Sequence, residues 1–355
     1  MSLLFLFLFV VLGATPALAQ PDADMARLLK TWSSLGGRTL SGLSAEQARS
    51  LPDLSTAVEV MRRKAPDAAP IPAVAKVYDA QLPGPAGPLP ARVYQPAGVG
   101  PFPVLVYFHG GGFVVGSLKS ADVSARALAN SGGCVVVSVG YRQAPENPYP
   151  AALKDAYAAW TYVSKSAKEF QGDPKRVAIG GENSGANLAA AVSAMALDQR
   201  GRMPIHQLLI GPITNLDFDT PSYRKNAHQR PYGRADMQWF LQHYLSKPSD
   251  RNSPYVAVIK KASTDLPPAT IIVAELDPLR SDGEAYHQGL VNSGCNSVLR
   301  VFPGVTADFF GARSVVAKAK QANEFAGGRL QKAFSLGATR SIPRRGRVAE
   351  PPGAR

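Results

Sequence analysis

The chain has 355 residues and a formal net charge of +13. So large a positive charge favours a nucleic acid or an anionic surface as partner, but such sites cluster Lys and Arg and interleave them with aromatic residues. The sequence has no such cluster, so we predict no nucleic-acid partner. The length accommodates one large α/β domain or two ordinary domains.

The first nineteen residues have the pattern of a secretory signal peptide. They contain no charged side chain, include the apolar run Leu3–Leu12 and end in the small-x-small sequence Ala17-Leu18-Ala19. The alternative is a membrane anchor, but the apolar run is short for a bilayer and Pro16 interrupts the chain soon after it. We therefore predict a signal peptide over 1–19, export to the periplasm or the medium, and no stable membrane span once it is removed.

The opposite end, residues 336–355, is rich in Pro, Gly and Arg. Arg340, Arg344, Arg345 and Arg347 lie among few apolar residues, a composition typical of a solvated tail. We predict a disordered, basic tail and place the folded domain at 20–335.

The two cysteines, Cys134 and Cys295, each begin a different predicted strand. A disulfide between them is compatible with export. Small buried apolar residues are the favoured interpretation, and neither cysteine has the spacing of a metal ligand. We predict no metal site.

Helical and strand patterns alternate along the mature chain. Apolar residues recur every three or four positions in Met25–Trp32 and Leu54–Arg63, which predicts helices. The turn sequence Pro83–Gly87 then separates two strand-like runs and predicts a β-hairpin. We predict strands at Val74–Leu82, Leu89–Tyr94, Phe102–Phe108, Cys134–Val139, Val177–Gly180, Gln207–Ile210, Thr270–Ala274 and Ser297–Phe302. Helices are predicted between them at Ser120–Asn130, Ala152–Phe170, Asn187–Leu197, Arg234–Leu245 and Asp282–Asn292.

This alternation predicts an α/β fold with a mostly parallel central sheet, helices on both faces and an antiparallel hairpin at its start. Ligands bind at the carboxyl ends of the strands in such sheets. Two segments, at about 20–70 and 213–245, are predicted to form a helical cap over that edge.

The stretch Gly181-Glu-Asn-Ser-Gly185 has the layout of a nucleophile elbow, the G-x-S-x-G turn between a strand and a helix. Its apex residue is Asn183, and the serine, Ser184, comes one place late. Centring the turn on Ser184 would put Glu182 and Ala186 where the turn needs glycines. Asn tolerates the positive φ of a strained apex better than most residues do.

Three further motifs come directly after predicted strands. His109-Gly-Gly-Gly-Phe113 is a loop whose free backbone N–H groups can face a developing oxyanion. Tyr141-Arg-Gln-Ala-Pro-Glu146 predicts a rigid turn that positions the next helix. Asp277-Pro-Leu-Arg-Ser-Asp-Gly283 supplies a carboxylate at a strand end.

These four motifs together resemble the hormone-sensitive lipase family of α/β-hydrolases, which includes bacterial acetyl esterases. The resemblance covers about Met25 to Leu330. It implies an α/β-hydrolase fold with a cap partly built from the N-terminus, hydrolysis of carboxylic esters by a Ser-His-Asp triad, and no cofactor. By motif, Gly110 and Gly111 donate oxyanion N–H groups, joined by the N–H of Ser184, and Asp277 is the triad acid.

Two catalytic positions depart from the family pattern. The elbow of the family reads G-D-S-A-G, so Asn183 stands at the nucleophile position. The family histidine falls in a P-G-x-x-H-x-F segment, which corresponds here to Pro303–Phe309 and places Ala307 at the histidine position. Serine without a base is a poor nucleophile, and an aspartate alone cannot replace the imidazole.

The chain offers five histidines as substitute bases. His109, His206, His243 and His287 are interpreted as structural or solvated residues from their places in the pattern. His228 lies in a predicted loop that can reach over the pocket, which makes it a weak alternative.

The sequence leaves three hypotheses open. The favoured one is a non-catalytic hydrolase-fold protein that retains binding of a small ester or acyl-like ligand. The second is an active esterase that uses Ser184 or a non-standard mechanism. The third is an interaction scaffold with a closed pocket. Fold analogy alone does not separate them.

Overall fold

The computed structural model describes residues 20–65 and 70–339. The predicted signal peptide lies outside these residues, as does the part of the predicted tail from residue 340 onward. The last helix continues to Thr339, so regular structure extends beyond the predicted domain boundary at residue 335.

One eight-stranded sheet organises the described residues, with the strand order β1-β2-β4-β3-β5-β6-β7-β8. Strand β2 pairs antiparallel with β1 and β4, and the other neighbours pair parallel. The structure thus confirms the predicted mostly parallel sheet with a hairpin at its start. The strands are β1 Lys76–Leu82, β2 Leu89–Gln95, β3 Phe102–Phe108, β4 Val135–Val139, β5 Gly172–Glu182, β6 Gln207–Ile210, β7 Ala269–Leu276 and β8 Ser297–Thr306.

Helices connect the strands and cover the sheet. The α-helices of the described residues are α1 Ala23–Ser34, α2 Ala45–Ser50, α3 Leu54–Lys64, α4 Asp122–Gly132, α5 Ala151–Lys165, α6 Ser184–Asp198, α7 Pro221–Lys225, α8 Arg234–Tyr244, α9 Arg280–Asn292 and α10 Ala317–Thr339. Short 3₁₀ helices occur at Ala167–Phe170, Pro248–Asn252, Val258–Lys261 and Phe309–Ala312.

The single helix predicted over Ala152–Phe170 is wrong in its last part. Helix α5 ends at Lys165, and a separate 3₁₀ turn comes next. Gln171 then adopts a left-handed conformation with φ 56°, and its carbonyl accepts the N–H of Phe102 at 2.9 Å. The chain must leave the helix direction here because β5 has to enter the sheet beside β3.

Strand β3 shows how the core is divided between the two faces of the sheet. Val104, Val106 and Phe108 are buried in one apolar cluster, whereas Leu105 and Tyr107 are buried in the other. Successive side chains of a strand point to opposite faces, so a strand covered on both sides reads as a continuous apolar run. This is why the central strands are visible in the sequence as short apolar blocks.

The N-terminal segment is fastened to the 213–245 segment by hydrogen bonds. The carboxylate of the buried Asp236 accepts the backbone N–H groups of Leu40 and Ser41 at 2.6 and 3.1 Å. The indole N–H of Trp239 donates to the carbonyl of Leu43 at 2.9 Å. The two segments therefore hold each other in place.

Cys134 and Cys295 are both free and buried, so the alternative of a disulfide between them is wrong. Each packs as a small side chain in one of the two apolar clusters.

Within residues 20–65 and 70–339, no helix has the length and apolar content that a bilayer crossing requires. The same residues bring together no group of His, Cys, Asp and Glu suited to a metal ion.

Two helical glycines allow a matched test of the packing. A Cβ on Gly185, at the start of α6, would lie 2.1 Å from the backbone oxygen of Phe108, whereas a Cβ on Gly328 in α10 would meet nothing within 4 Å. We expect Gly185→Ala to lower the free energy of unfolding by roughly 3 kcal/mol. The control Gly328→Ala should leave it unchanged or raise it by up to about 1 kcal/mol. Urea denaturation measures both; equal effects would contradict the assigned contact.

Candidate active site

The turn from β5 into α6 is a strained elbow with Asn183 at its apex. Asn183 has φ 51° and ψ −114°, and the first residue of the helix comes directly after it. A Cβ on Gly181 would lie 2.4 Å from the backbone carbon of Gly185. Both glycines of the motif are therefore required by close backbone contacts, and the register centred on Asn183 is the one that forms.

The side-chain oxygen of Asn183 accepts hydrogen bonds from two backbone N–H groups. Its Oδ1 accepts the N–H of Ser184 at 2.8 Å and the N–H of Gly112 at 3.1 Å. Two amide N–H donors that converge on one oxygen form the geometry of an oxyanion hole. In this chain an amide oxygen of the protein itself lies between those donors.

Gly112 is a donor that the sequence motif did not reveal, since the motif assigns the loop donors to Gly110 and Gly111. Gly110 lies against Asn183, because a Cβ on it would be 3.3 Å from the Asn183 Cβ. Gly111 has φ +109° and Gly112 has φ +57°, and the ring of Phe240 packs where a Gly112 side chain would be. The run of three glycines was the signal, but only the turn geometry shows which N–H reaches Asn183.

Asp277 and Ala307 come after β7 and β8 and lie beside the elbow. With Asn183 and Asp308 they line a small cavity of about 20 Å³. Asp277 is 4% exposed, and its Oδ1 accepts the N–H of Leu279 at 2.8 Å. Its Oδ2 accepts no hydrogen bond from the residues that the structure describes. Burial raises the pKa of Asp277 to about 7.

Ser184 points away from this cavity. It is fully buried, and its Oγ lies 3.3 Å from the hydroxyl of Tyr141, which donates to the carbonyl of His109 at 2.9 Å. Ser184 lines neither the small cavity nor the larger one beside it. The serine is thus a packed residue of the first turn of α6, and its backbone N–H faces the site.

None of the five histidines, all within the described ranges, lines the cavity beside Asn183. His109 is buried against Tyr141 with ring centroids 4.4 Å apart, and burial lowers its pKa to about 4. His206 bonds the Thr270 hydroxyl at 2.9 Å. His228 is exposed and lines a separate surface depression with Arg224. The ring of His243 is hydrogen-bonded to the carbonyl of Trp239, and the ring of His287 is hydrogen-bonded to the hydroxyl of Ser297.

Two further carboxyl groups, Glu182 and Asp308, border the site and were not singled out from the sequence. Both line the small cavity and also a neighbouring larger cavity. Glu182 accepts the hydroxyl of Tyr107 at 2.5 Å, and burial raises its pKa. Burial, together with the charges of Glu182 and Asp277, raises the pKa of Asp308 to about 7. Their positions next to Asn183 and Ala307 in the sequence were the available signal.

The larger cavity has a volume of about 310 Å³ and lies between the N-terminal helices and the loop after β3. Apolar side chains from the N-terminal segment form one wall, and Gly110, Gly111, Glu182 and Asp308 form the base. The apolar wall residues are Trp32, Leu40, Ala48, Leu51, Leu54 and Val58.

A family model described as alpha/beta hydrolase fold matches residues 105–311, more than half of the chain. The chain belongs to the alpha/beta hydrolase fold family. The match includes the glycine loop, the elbow, Asp277 and Ala307, so the candidate site lies inside the family domain. The predicted α/β-hydrolase fold is confirmed.

Relatives of this chain include proteins named as carboxylic ester hydrolases. The chain is 39% identical to "Carboxylic ester hydrolase LipN" of Mycobacterium tuberculosis over 66% of this chain, a match that spans 64% of that relative's length. It is 37% identical to "Carboxylesterase NlhH" of the same organism over 66% of this chain and 75% of the relative. The solved structure of a hyperthermophilic esterase from Pyrobaculum calidifontis superposes with a TM-score of 0.79 at 32% identity, covering 88% of this chain and 99% of that one.

The raised pKa of Asp277 makes the stability of the hydrolase depend on pH. Between its ordinary value of 3.8 and its folded value of about 7, the folded chain binds a proton that the unfolded chain does not bind. Stability therefore falls as pH rises through this window. We expect Asp277→Asn to raise the free energy of unfolding at pH 8 by on the order of 2–4 kcal/mol, and by far less at pH 4.

Denaturant titrations at the two pH values measure this difference. Asparagine keeps an acceptor for the Leu279 N–H, so the turn is preserved. The exposed Asp265→Asn controls for the loss of a carboxyl group at the surface. A pH-independent gain at Asp277 would show that its burial carries no electrostatic cost.

Proposed function

We propose that this esterase-like hydrolase binds small ester or acyl-like ligands and has lost serine-esterase activity. The observation that carries the proposal is the Asn183 Oδ1 held by the Ser184 and Gly112 N–H groups. The position of the nucleophile and the two oxyanion donors are thereby taken by one side chain of the protein.

The chemistry of the remaining residues supports loss of hydrolysis. An amide nitrogen is not a nucleophile under ordinary conditions, and Ala307 provides no proton acceptor. Asp277 then has no imidazole to orient. Removal of a complete triad costs about a million-fold in turnover, and oxyanion donors and binding leave roughly a thousand- to ten-thousand-fold over water. In this chain the two oxyanion donors already bind the Asn183 oxygen, so even this residual acceleration over water is reduced.

The cavity of about 310 Å³ supports retention of a ligand. Small-molecule pockets begin at roughly 300 Å³, so a short acyl chain fits best. The wall formed by Trp32, Leu51 and Val58 suits the apolar part of such a ligand. Asp308, whose pKa is raised to about 7, is partly protonated at neutral pH and then donates a hydrogen bond to a carbonyl oxygen.

The two alternatives have less support. An active esterase based on Ser184 needs a base at its hydroxyl, and the neighbour within hydrogen-bond distance is the Tyr141 hydroxyl, whose pKa is raised by burial. A pure interaction scaffold predicts a collapsed pocket, which a cavity of this size does not favour.

We also propose that the protein is exported and processed after Ala19. The charge-free apolar segment with the Ala17-Leu18-Ala19 ending supports this proposal. Amino-terminal sequencing of protein from the periplasm or medium tests it, and an intact Met1 on cytoplasmic protein contradicts it.

A fluorophosphonate probe tests the loss of the nucleophile. Such probes need an activated serine beside an oxyanion hole. We expect no labelling of the wild type, weak labelling of Asn183→Ser, and strong labelling of Asn183→Ser with Ala307→His. The gain of the double variant should exceed the sum of the single changes because nucleophile and base act as a unit. Gel fluorescence and hydrolysis of a short aryl ester measure the effect.

Ser184→Ala in the wild-type background is the decisive control. Labelling of the wild type that disappears in Ser184→Ala would identify the shifted serine as the nucleophile and overturn the proposed loss of activity.

Filling the larger cavity tests ligand binding. Leu51→Trp adds an aromatic ring to the cavity wall, whereas Val99→Trp adds the same ring at a position that is 98% exposed. We expect Leu51→Trp to weaken binding of ethyl butyrate about tenfold or more, since one lost methylene contact already costs about 1 kcal/mol. Val99→Trp should bind as the wild type does. Saturation-transfer NMR measures both, and equal binding would place the ligand elsewhere.

A further inference from the structure

We infer that Asn183 is a self-processing site, at which a water molecule inside the folded protein hydrolyses the side-chain amide to a carboxylate and releases ammonia. This modification goes beyond ligand binding and is independent of it. The inference rests on the position of the amide between oxyanion donors and beside a cavity of the size of a water molecule.

The Asn183 amide has the placement of a substrate carbonyl. Both groups that contact its Oδ1, the N–H of Ser184 and the N–H of Gly112, are donors, so the contacting atom is the oxygen and not the nitrogen. Such donors polarise a carbonyl and stabilise the negative oxygen of a tetrahedral intermediate. The amide of Asn187, four residues along α6, instead donates to the carbonyls of Ile213 and Val256.

The cavity beside this amide has room for the attacking water. It measures about 20 Å³ and is lined by Asn183, Asp277, Ala307 and Asp308. A single water needs roughly 10–15 Å³ of such space. The small side chain of Ala307 leaves this space open at the position where the family pattern has a histidine.

Asp277 is the proton acceptor in this cavity. Its side chain is 4% exposed, and its Oδ2 accepts no hydrogen bond from the described part of the chain. A carboxylate oxygen with a free lone pair accepts a hydrogen bond from a water in the cavity that Asp277 lines.

The reaction balances with water as the single co-reactant. Asp277 accepts a proton from the water while the water oxygen bonds to the Asn183 Cγ, and the negative charge forms on Oδ1 between the two N–H groups. The Cγ–Nδ2 bond then breaks as the nitrogen receives the proton from Asp277. Ammonia leaves and takes up the proton of the new carboxylic acid, so the products are an aspartate carboxylate at position 183 and ammonium.

The rate must rise with pH, because the base works only when ionised. Burial raises the pKa of Asp277 to about 7. The ionisable groups packed around it are Glu182 and Asp308, which line the same cavity, and Asp282 and Tyr223, which interact electrostatically with it. The carboxylates among them disfavour a second negative charge. As the pH falls through about 7, Asp277 becomes protonated and no longer accepts a proton from the water.

A competing chemical route starts from the Ser184 nitrogen and passes through a cyclic imide. Opening of that imide gives both aspartate and isoaspartate, whereas direct hydrolysis gives aspartate only. In the structure the Ser184 N–H donates to Oδ1, which places this group to stabilise the oxyanion. The two routes are thus separated by their products.

The experiment is incubation of the folded, purified protein in heavy-oxygen water at 37 °C, with peptide mass spectrometry as the readout. We expect the Asn183 peptide to convert to aspartate with one heavy oxygen and without isoaspartate. The buried Asn187 and Asn323 in the same digest are internal controls and should convert far more slowly. Asp277→Asn, verified as folded by circular dichroism, should slow conversion by about a hundredfold. The wild-type rate should fall between pH 8 and pH 6.

Four results would overturn the inference. They are conversion of Asn183 no faster than that of Asn187 and Asn323, formation of isoaspartate, an unchanged rate in Asp277→Asn, and an equal rate in protein unfolded in urea. Asn183→Asp prepared by mutation provides the reference mass and chromatographic position of the product.

Discussion

The close approach of the end of β3 to the start of α6 determines where the two backbone N–H donors of the site lie. A side chain on Gly185 would collide with the backbone oxygens of Phe108 and His109, at 2.1 and 2.5 Å. The absence of that side chain lets the glycine loop after β3 lie directly over the elbow. Without this contact the Gly112 N–H could not reach Asn183, and the two donors would not converge on one atom.

The same contact explains why an asparagine is accommodated at the apex. A residue there must adopt φ 51° with ψ −114°, a strained conformation that non-glycine residues disfavour and that the surrounding contacts must enforce. The amide oxygen also satisfies two buried N–H groups that would otherwise lack a partner, and an unpaired buried donor costs about 1–3 kcal/mol. The two hydrogen bonds to the Asn183 oxygen thus stabilise the folded turn.

The carboxyl groups of the site destabilise the folded protein when they are ionised, in contrast to the stabilising contact of Asn183. Glu182, Asp277 and Asp308 line the cavity beside the elbow, and burial raises the pKa of each. In a complete triad the acid is hydrogen-bonded to an imidazole. In this chain Asp277 accepts the backbone N–H of Leu279, and none of the five histidines lines its cavity. Asp277 and Asp308 have a pKa raised to about 7, so their protonation responds near neutral pH, and this is the chemically unusual property of the site.

Membership of the alpha/beta hydrolase fold family and the proposed loss of esterase chemistry are compatible because they depend on different residues. The family match covers residues 105–311, which include strands β4 to β8, the glycine loop and the elbow. The proposed loss of catalysis rests on the residues at positions 183 and 307, whereas the triad acid position keeps its carboxylate, Asp277. Relatives named as carboxylic ester hydrolases therefore share ancestry with this chain, and its chemistry has to be argued from its own residues.

The sequence by itself determined the strand and helix alternation and the apex at Asn183, and it predicted Ala307 at the histidine position of the family. These features are local: apolar runs, glycine spacing and strand-end motifs depend on neighbours within a few residues. The tertiary structure alone decided that the Asn183 oxygen meets Gly112, which is 71 residues away in the chain. It also decided that Ser184 faces Tyr141, that His228 lies apart from the cavity, and that Asp308 joins Glu182 there. Side-chain direction and long-range contact depend on how the loops pack at the sheet edge, and sequence periodicity carries no information about that packing.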